Sequence, residues 1–192
     1  MRSFADQLAS AGYLVIAPDL LSDFNSEYKQ TKDFPSSDEA RRAIYELDPE
    51  RVTEDLTAAQ DYIQSLASAT GETVVLGFCW GGAQAFRFAT NNQEIKAAFV
   101  FYGNAPENKE NLSRIDVPVY GFYGGDDQRV NETIEPTAET MSSLNKVYRY
   151  KIYPRATHAF MRKAEEADAS AADISARDAA WEELKQLLYQ LR

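Results

Sequence analysis

Apolar runs alternate with amphipathic stretches along the chain, and this alternation predicts its secondary structure. Apolar runs predict strands at Tyr13–Ala17, Thr73–Leu76, Ala97–Tyr102 and Val117–Tyr123, and an alternating pattern predicts one at Val147–Tyr153. Stretches with helical periodicity or helix-start signals predict helices over residues 2–11, 36–47, 48–66, 82–89, 107–114, 135–145 and 179–191. Strands that alternate with helices are typical of an α/β fold, in which helices cover both faces of a mostly parallel sheet.

The first three predicted helices carry end signals. Ser36 followed by Glu39 resembles a capping box. Asp48 followed by Pro49 is typical of an N-cap and a first helical position. Gly12 stands where the residue just past a helix end is expected. These signals set the expected boundaries.

Two segments lack a clear helical or strand pattern. The polar stretch Ser22–Ser36 is predicted to be a surface loop near the substrate. The acidic, Ala-rich stretch Ala164–Ala172 is predicted to be a mobile surface loop. Val147–Tyr153 differs from the other strands, because apolar and polar residues alternate along it, and this suits the edge of a sheet.

Composition and charge narrow the class of protein. With 192 residues, 44% of them hydrophobic, the chain can bury a core and is expected to form one domain over residues 1–192. A net charge of -10 argues against nucleic acid or an anionic membrane as partner. No apolar run approaches the roughly 20 residues of a membrane span, and a single cysteine excludes an internal disulfide. We expect a cytoplasmic protein with neither a metal ion nor another cofactor.

Cys79, the only cysteine, stands in the sequence Gly-Phe-Cys-Trp-Gly-Gly at 77–82, directly after the second predicted strand. A nucleophile elbow needs small residues two positions before and after the nucleophile, because a sharp strand-to-helix turn brings their backbones together. Gly77 and Gly81 meet this requirement. The amides and dipole at the start of the following helix favour a thiolate and an oxyanion beside it. The pattern indicates nucleophilic chemistry, with the Trp80 amide as an oxyanion-hole donor.

Two further groups follow later strands in the order nucleophile, acid, histidine that an α/β-hydrolase requires. Asp126 and Asp127 come after the strand ending at Tyr123, and His158, the only histidine, comes after the last strand. In such a triad the imidazole takes the proton of the nucleophile while the carboxylate orients the imidazole. Asp127 is the preferred acid, because it stands three residues before Val130, which can anchor the turn; Asp126 is the alternative.

The chain resembles the dienelactone hydrolase family over nearly its whole length. The motifs that carry the resemblance are Gly-Phe-Cys-Trp-Gly-Gly at 77–82, Phe-Tyr-Gly at 101–103, Tyr-Gly-Gly-Asp-Asp-Gln-Arg-Val at 123–130, Thr-His-Ala-Phe-Met-Arg at 157–162 and Ala-Gly-Tyr-Leu-Val-Ile-Ala-Pro-Asp-Leu at 11–20. The resemblance implies an α/β-hydrolase fold and hydrolysis of an ester or lactone through a thioester, with Cys79, Asp127 and His158 as the triad. It also implies that Arg162 binds a substrate carboxylate. Tyr102 is expected to line the pocket.

Two departures from the family pattern change what the resemblance implies. The family's second carboxylate-binding arginine would follow Pro18-Asp19-Leu20, but the next arginine is Arg41, which argues against dienelactone itself as substrate. The family also carries several strands before its equivalent of the first helix, including a central strand whose loop gives one oxyanion amide. We therefore expect the N-terminal strands to be missing, as in a truncated product, a mis-assigned start or a fragment completed by another segment. Loss of one oxyanion donor lowers a rate roughly a hundredfold to a thousandfold.

Three functions of different classes fit these residues. The first is a carboxymethylenebutenolidase-like hydrolase that acts on a small ester or lactone. The second is a catalytically impaired or non-catalytic homologue that acts as a binding or interaction protein. The third is a redox or peroxide-sensing thiol protein, which would need a low pKa at Cys79 but no aligned acid.

Overall fold

The computed structural model describes residues 2–191. Within them, parallel strands form one sheet in the order β1 (Val75–Phe78), β2 (Ala98–Phe101), β3 (Val119–Gly124) and β4 (Tyr148–Tyr153). The helices are α1 (Arg2–Ser10), α2 (Ser37–Glu46), α3 (Pro49–Gln64), α4 (Trp80–Ala89), α5 (Lys109–Ser113), α6 (Gln128–Asn131), α7 (Ile134–Ser143), α8 (Phe160–Lys163) and α9 (Ala171–Gln190), with a short 3-10 turn at Thr31–Asp33. The chain divides into two compact units, one ending at Gly71 and one beginning at Glu72. A single domain over residues 1–192 stays a prediction.

The helices of the first unit begin where their cap signals predicted. Ser36 Oγ accepts a hydrogen bond from the Glu39 N–H at 3.2 Å, one residue before α2. The Asp48 carboxylate accepts one from the Glu50 N–H at 2.8 Å, one residue before α3. Gly12 follows α1 with a φ of 89°, a conformation that suits glycine at a helix end. These boundaries are confirmed.

The strand predicted over Tyr13–Ala17 is wrong. In the part of the chain that the structure describes, these residues pair with no strand. Leu14, Val15 and Ile16 are 47%, 37% and 38% exposed. A strand needs a neighbour for its backbone N–H and C=O groups, and residues 2–71 contain none. The apolar pattern identified a segment of strand-like composition without a pairing partner.

The strands predicted in the second unit are confirmed, and aromatic side chains fill the core around them. All four residues of β2 are buried, and the rings of Phe101 and Phe122 stack across β2 and β3 with centroids 4.4 Å apart. Burying a side chain of this size stabilises a fold by about 1.5–3 kcal/mol. β4 lies at the edge of the sheet, as its alternating sequence predicted.

The closing helix begins earlier than predicted. α9 starts at Ala171, and α8 stands just before the stretch Ala164–Ala172 that was predicted to be a loop. Ser170 caps α9, since its Oγ accepts a hydrogen bond from the Asp173 N–H at 3.0 Å. α9 is 20 residues long and carries many charged residues. None of the helices among residues 2–191 is long and apolar enough to cross a bilayer.

The parallel sheet determines where the site can form. Because all the strands run in one direction, their carboxyl ends lie at the same edge. Cys79 follows β1, Tyr102 follows β2, Asp127 comes three residues after β3, and His158 comes five residues after β4. The fold therefore brings four of the predicted site residues to one edge of the sheet.

Candidate active site

Cys79 occupies a strained turn between β1 and α4. Its backbone has φ 52° and ψ -120°, a conformation that costs a non-glycine residue on the order of 1–3 kcal/mol. Two hydrogen bonds hold the turn: the Cys79 N–H donates to the Phe101 carbonyl at 3.0 Å, and the Ala83 N–H donates to the Cys79 carbonyl at 3.1 Å. The backbone thus has the sharp strand-to-helix geometry of an elbow.

The two elbow glycines differ in how strictly they are required. A Cβ on Gly77 would lie 1.9 Å from the carbonyl oxygen of Gly81, which no real contact permits. A Cβ on Gly81 would meet nothing within 4 Å. The sequence pattern gave the two positions equal weight, but the close approach restricts only Gly77.

His158 is hydrogen-bonded to Asp127 and not to Asp126. The His158 Nδ1 lies 2.5 Å from Asp127 Oδ2. The Asp127 side chain is 7% exposed, whereas the His158 side chain is 34% exposed. Asp126 is exposed, and its N–H donates to the Ala156 carbonyl at 3.0 Å. Val130 is fully buried, as the preference for Asp127 assumed.

Tyr102 lies beside both the thiol and the imidazole. Its ring centroid is 5.1 Å from that of His158 and 5.3 Å from that of Phe160. Burial, together with the neighbouring Cys79, raises the pKa of the Tyr102 phenol far above its usual value. Tyr102 also has a positive φ, of 41°, directly after β2. The structure therefore brings the thiol, the imidazole and the phenol into one small region.

The environment of Cys79 disfavours a resting thiolate. Burial raises the pKa of the thiol and Asp127 raises it further, while Arg162 and Arg129 oppose the rise without cancelling it. Loss of water around the sulfur is the largest of these effects, although the helix start was expected to favour the charged form. The thiol is therefore protonated at neutral pH, and it would need a base before it could act as a nucleophile.

Arg162 lies on α8 with its guanidinium close enough to lower the pKa of Cys79. It is an exposed residue, and its Nη1 lies 2.5 Å from Glu166 Oε1, four residues along the chain. The predicted substrate-binding arginine thus already has an acidic neighbour. Arg129 acts on the same thiol, and sequence analysis missed it. Arg129 stands two residues after Asp127, and this closeness in sequence could have indicated that it lies near the site.

Trp80 is the first residue of α4, so its N–H lies at the helix start, where amides have no acceptor within the helix. This is the position from which an oxyanion-hole donor would act beside Cys79. Among residues 2–191, no three His, Cys, Asp or Glu side chains are grouped so that they could hold a metal ion. The polar groups that the structure gathers here are suited to moving a proton and binding an anion.

Sequence analysis also missed Asp173. This residue lies on α9, is 4% exposed and accepts a hydrogen bond from the Thr157 N–H at 2.8 Å. Thr157 directly precedes His158. The spacing of Ser170 and Asp173 indicates a helix start, but it does not indicate that Asp173 contacts the residue before the histidine.

Comparison with known proteins identifies the chain's relatives. A model of the dienelactone hydrolase family matches residues 1–191. A Yersinia pestis protein with the provisional name carboxymethylenebutenolidase is 32% identical over 173 residues, covering 83% of this chain and 62% of that protein. Carboxymethylenebutenolidase 1 of Cupriavidus pinatubonensis is 29% identical over 164 residues, covering 84% of this chain and 69% of that protein. The chain also spans 62% of the length of its relatives in Salmonella typhimurium and Escherichia coli.

A solved structure shows the fold. The crystal structure of a Klebsiella pneumoniae protein provisionally named a dienelactone hydrolase matches with a TM-score of 0.81 and 22% identity, covering 95% of this chain and 78% of that one. The α/β-hydrolase fold predicted from the sequence is confirmed.

Proposed function

The chain belongs to the dienelactone hydrolase family, and on that premise we propose that it hydrolyses carboxylic esters or lactones, with Cys79 as nucleophile, His158 as base and Asp127 as the acid of the triad. The observation that carries the proposal is the hydrogen bond between His158 and Asp127, formed at the sheet edge where the Cys79 elbow lies. A base held by a buried carboxylate beside a protonated thiol is what nucleophilic hydrolysis needs.

The proposed reaction has two halves. As the Cys79 sulfur attacks the carbonyl carbon, His158 Nε2 takes the thiol proton, and the Trp80 N–H donates to the developing oxyanion. The bond from carbon to the leaving oxygen then breaks, that oxygen receives the proton from the imidazolium, and a thioester remains on Cys79. Water attacks the thioester while the imidazole accepts one water proton, and the departing sulfur is reprotonated. The products are a carboxylic acid and an alcohol, which stay joined in one molecule when the substrate is a lactone.

Because the pKa of Cys79 is raised, the imidazole has to remove the thiol proton. Because burial keeps the sulfur protonated, nucleophilic attack and proton removal must occur together or in close succession. Asp127 serves this step by holding the Nδ1 proton, which leaves Nε2 free to accept the proton from sulfur. A peroxide-sensing thiol would instead need a lowered thiol pKa, and the burial of Cys79 argues against that function.

We also propose that the substrate is a small molecule that carries a carboxylate. Arg162 and Arg129 both influence Cys79 electrostatically, in a chain whose net charge is -10. A net negative charge repels an anionic substrate, and two guanidinium groups near the nucleophile would offset that repulsion locally. We keep a cytoplasmic location in the proposal, since a single free thiol suits a reducing compartment.

The test is ester turnover by matched variants. We expect the wild type to cleave a small activated ester, and Cys79→Ala to abolish turnover while its circular dichroism spectrum stays unchanged. Asp127→Asn should lower kcat by about a thousandfold or more, because the imidazole loses its orienting carboxylate. Asp126→Asn is the control and should keep kcat within threefold, on the order of 0.7 kcal/mol in barrier.

The thioester can be located directly, because Cys79 is the only cysteine. After rapid acid quenching, the mass of the wild type should rise by one acyl group, and hydroxylamine should remove it. Equal turnover by wild type and Cys79→Ala would exclude the thiol from the mechanism. The absence of any Cys79-dependent turnover, with an ester analogue still bound, would favour the non-catalytic binding protein.

A further inference from the structure

The loop that carries His158 is held in an unfavourable backbone conformation. Arg155 and Ala159, on either side of the histidine, have φ values of 59° and 64°. Both lie in the left-handed region, where a side chain with a Cβ is strained. Such residues persist when the surrounding structure fixes them from more than one direction. The groups that hold this loop are therefore part of what places the imidazole.

One side of the loop is anchored to the sheet through the backbone. The Asp126 N–H donates to the Ala156 carbonyl at 3.0 Å, and the Gly125 N–H donates to the Tyr153 carbonyl at 2.8 Å. These bonds join the loop after β3 to the loop after β4. They act on Tyr153 and Ala156 and do not reach Thr157, the residue next to His158.

The second anchor is Asp173 of α9. Its Oδ1 accepts the Thr157 N–H at 2.8 Å and lies 3.1 Å from the Thr157 hydroxyl. Its Oδ2 accepts the Ser170 hydroxyl at 2.9 Å. A buried carboxylate is costly unless donors surround it, and these donors meet that need. The carboxylate thus fixes both the backbone and the side chain of the residue before the histidine.

Lys163 completes this arrangement. Its Nζ donates to the Thr157 hydroxyl at 3.0 Å, so a lysine, a threonine and the Asp173 carboxylate form one chain of hydrogen bonds. Because the threonine oxygen accepts from the lysine, its own proton is free to point to the carboxylate. The threonine is held from α8 and α9 together.

We propose that Asp173 is a positioning residue for His158. By holding Thr157, it keeps the imidazole in line with Asp127 and within reach of the thiol. Asp173 does not touch the reacting atoms and acts through its neighbour. This inference rests on the proposed role of His158 as the base. Moving a catalytic group by about 1 Å lowers a rate on the order of a hundredfold.

The test compares Asp173→Ala with Ser170→Ala. Both variants lose part of the α9 start, but only the first releases Thr157, since Ser170 contacts Asp173 and not the histidine loop. We expect Asp173→Ala to lower kcat about a hundredfold with KM nearly unchanged, and Ser170→Ala to stay within threefold of the wild type, on the order of 0.7 kcal/mol in barrier. Equal kcat values in the two variants would overturn the proposal.

A second readout does not depend on catalysis. His158 is the only histidine, so histidine labelled with nitrogen-15 identifies its Nδ1 proton without ambiguity. An Nδ1 proton hydrogen-bonded to the Asp127 carboxylate should give a far-downfield resonance. We expect that resonance in the wild type and in Ser170→Ala, and its loss in Asp173→Ala. If it survives in folded Asp173→Ala, the positioning role is wrong.

The two readouts separate this inference from the proposed function. If the wild type cleaves no ester, the hydrolase proposal fails, while the resonance still decides whether Asp173 places the imidazole. If Asp173→Ala does not fold, Asp173→Asn carries the test, because it keeps one acceptor for the Thr157 N–H. A tenfold loss of kcat and a weakened resonance in Asp173→Asn would support the proposal. Values equal to those of Ser170→Ala would refute it.

Discussion

Replacing Gly77 by alanine should damage the elbow far more than replacing Gly81. The new Cβ at residue 77 would lie 1.9 Å from the Gly81 carbonyl oxygen, whereas ordinary contact begins at 3.4 Å. The difference of 1.5 Å must be met by moving backbone, because the obstructing atom belongs to the main chain. Overpacking of this kind costs about 3 kcal/mol or more. For a chain of this length, that lowers Tm by about 6–12 °C.

The same displacement should be visible at the thiol. A shift of about 1 Å in a reacting group costs on the order of a hundredfold in rate, so Gly77→Ala should lose at least that much in kcat. Gly81→Ala places its Cβ in open space, and alanine favours a helix over glycine by up to about 1 kcal/mol. Its Tm should stay the same or rise.

The assay is thermal and urea unfolding followed by circular dichroism, with ester turnover measured on the same samples. Both variants add one methyl group to the same turn, so composition and local hydrophobicity are matched. If Gly77→Ala and Gly81→Ala have equal free energies of unfolding, the close approach at Gly77 does not shape the elbow.

Two further predictions concern the charge around the site. Burial raises the pKa of Cys79, so iodoacetamide should reach half its maximal alkylation rate at a higher pH in the native protein than in urea, where thiols have a pKa of about 8.5. The stability that the protonated thiol contributes is fully present below the unfolded pKa of about 8.5 and is lost as the pH rises through the folded pKa; an equal or lower native midpoint would contradict the burial argument. Glu166→Gln should free Arg162 and lower KM for a carboxylated ester about twofold, as expected for an exposed i,i+4 pair, with no change for a neutral ester. The matched control is Glu182→Gln, which removes the partner of Lys185 on α9; an equal change in both variants would mean that Arg162 plays no part.

The strands that lead to the site could be predicted, because β1, β2 and β3 contain apolar runs and β4 alternates between apolar and polar residues. The strand predicted over Tyr13–Ala17 failed for a different reason. Apolar composition shows that a segment is able to form a strand, but a strand also needs a neighbouring strand to pair with. The first unit contains no strand among the described residues. The acidic, Ala-rich composition before α9 suggests a loop, but the structure has a helix from Ala171. Alanine favours a helix, and Ser170 caps its first turn, so both signals for the earlier start are present in the sequence.

The chemistry of the site was only partly readable in the sequence. The choice of Asp127 depended on a spacing rule, and the observed bond to His158 agrees with it. The protonated thiol could not be foreseen, because burial around Cys79 is a property of the assembled sheet. Asp173 meets Thr157 across 16 residues and two elements, so no local pattern could reveal the contact.

The edge position of β4 has a consequence for dynamics. Edge strands are held on one side only, and local openings of low free energy are expected there before the core unfolds. Because the His158 loop continues directly from β4, each such opening would separate the imidazole from Asp127 while β1 to β3 stayed intact. Hydrogen exchange at the β4 amides would then measure the fraction of molecules in which the imidazole stays beside Asp127. The local stability of β4, and not only that of the whole fold, would set how often the imidazole is in place.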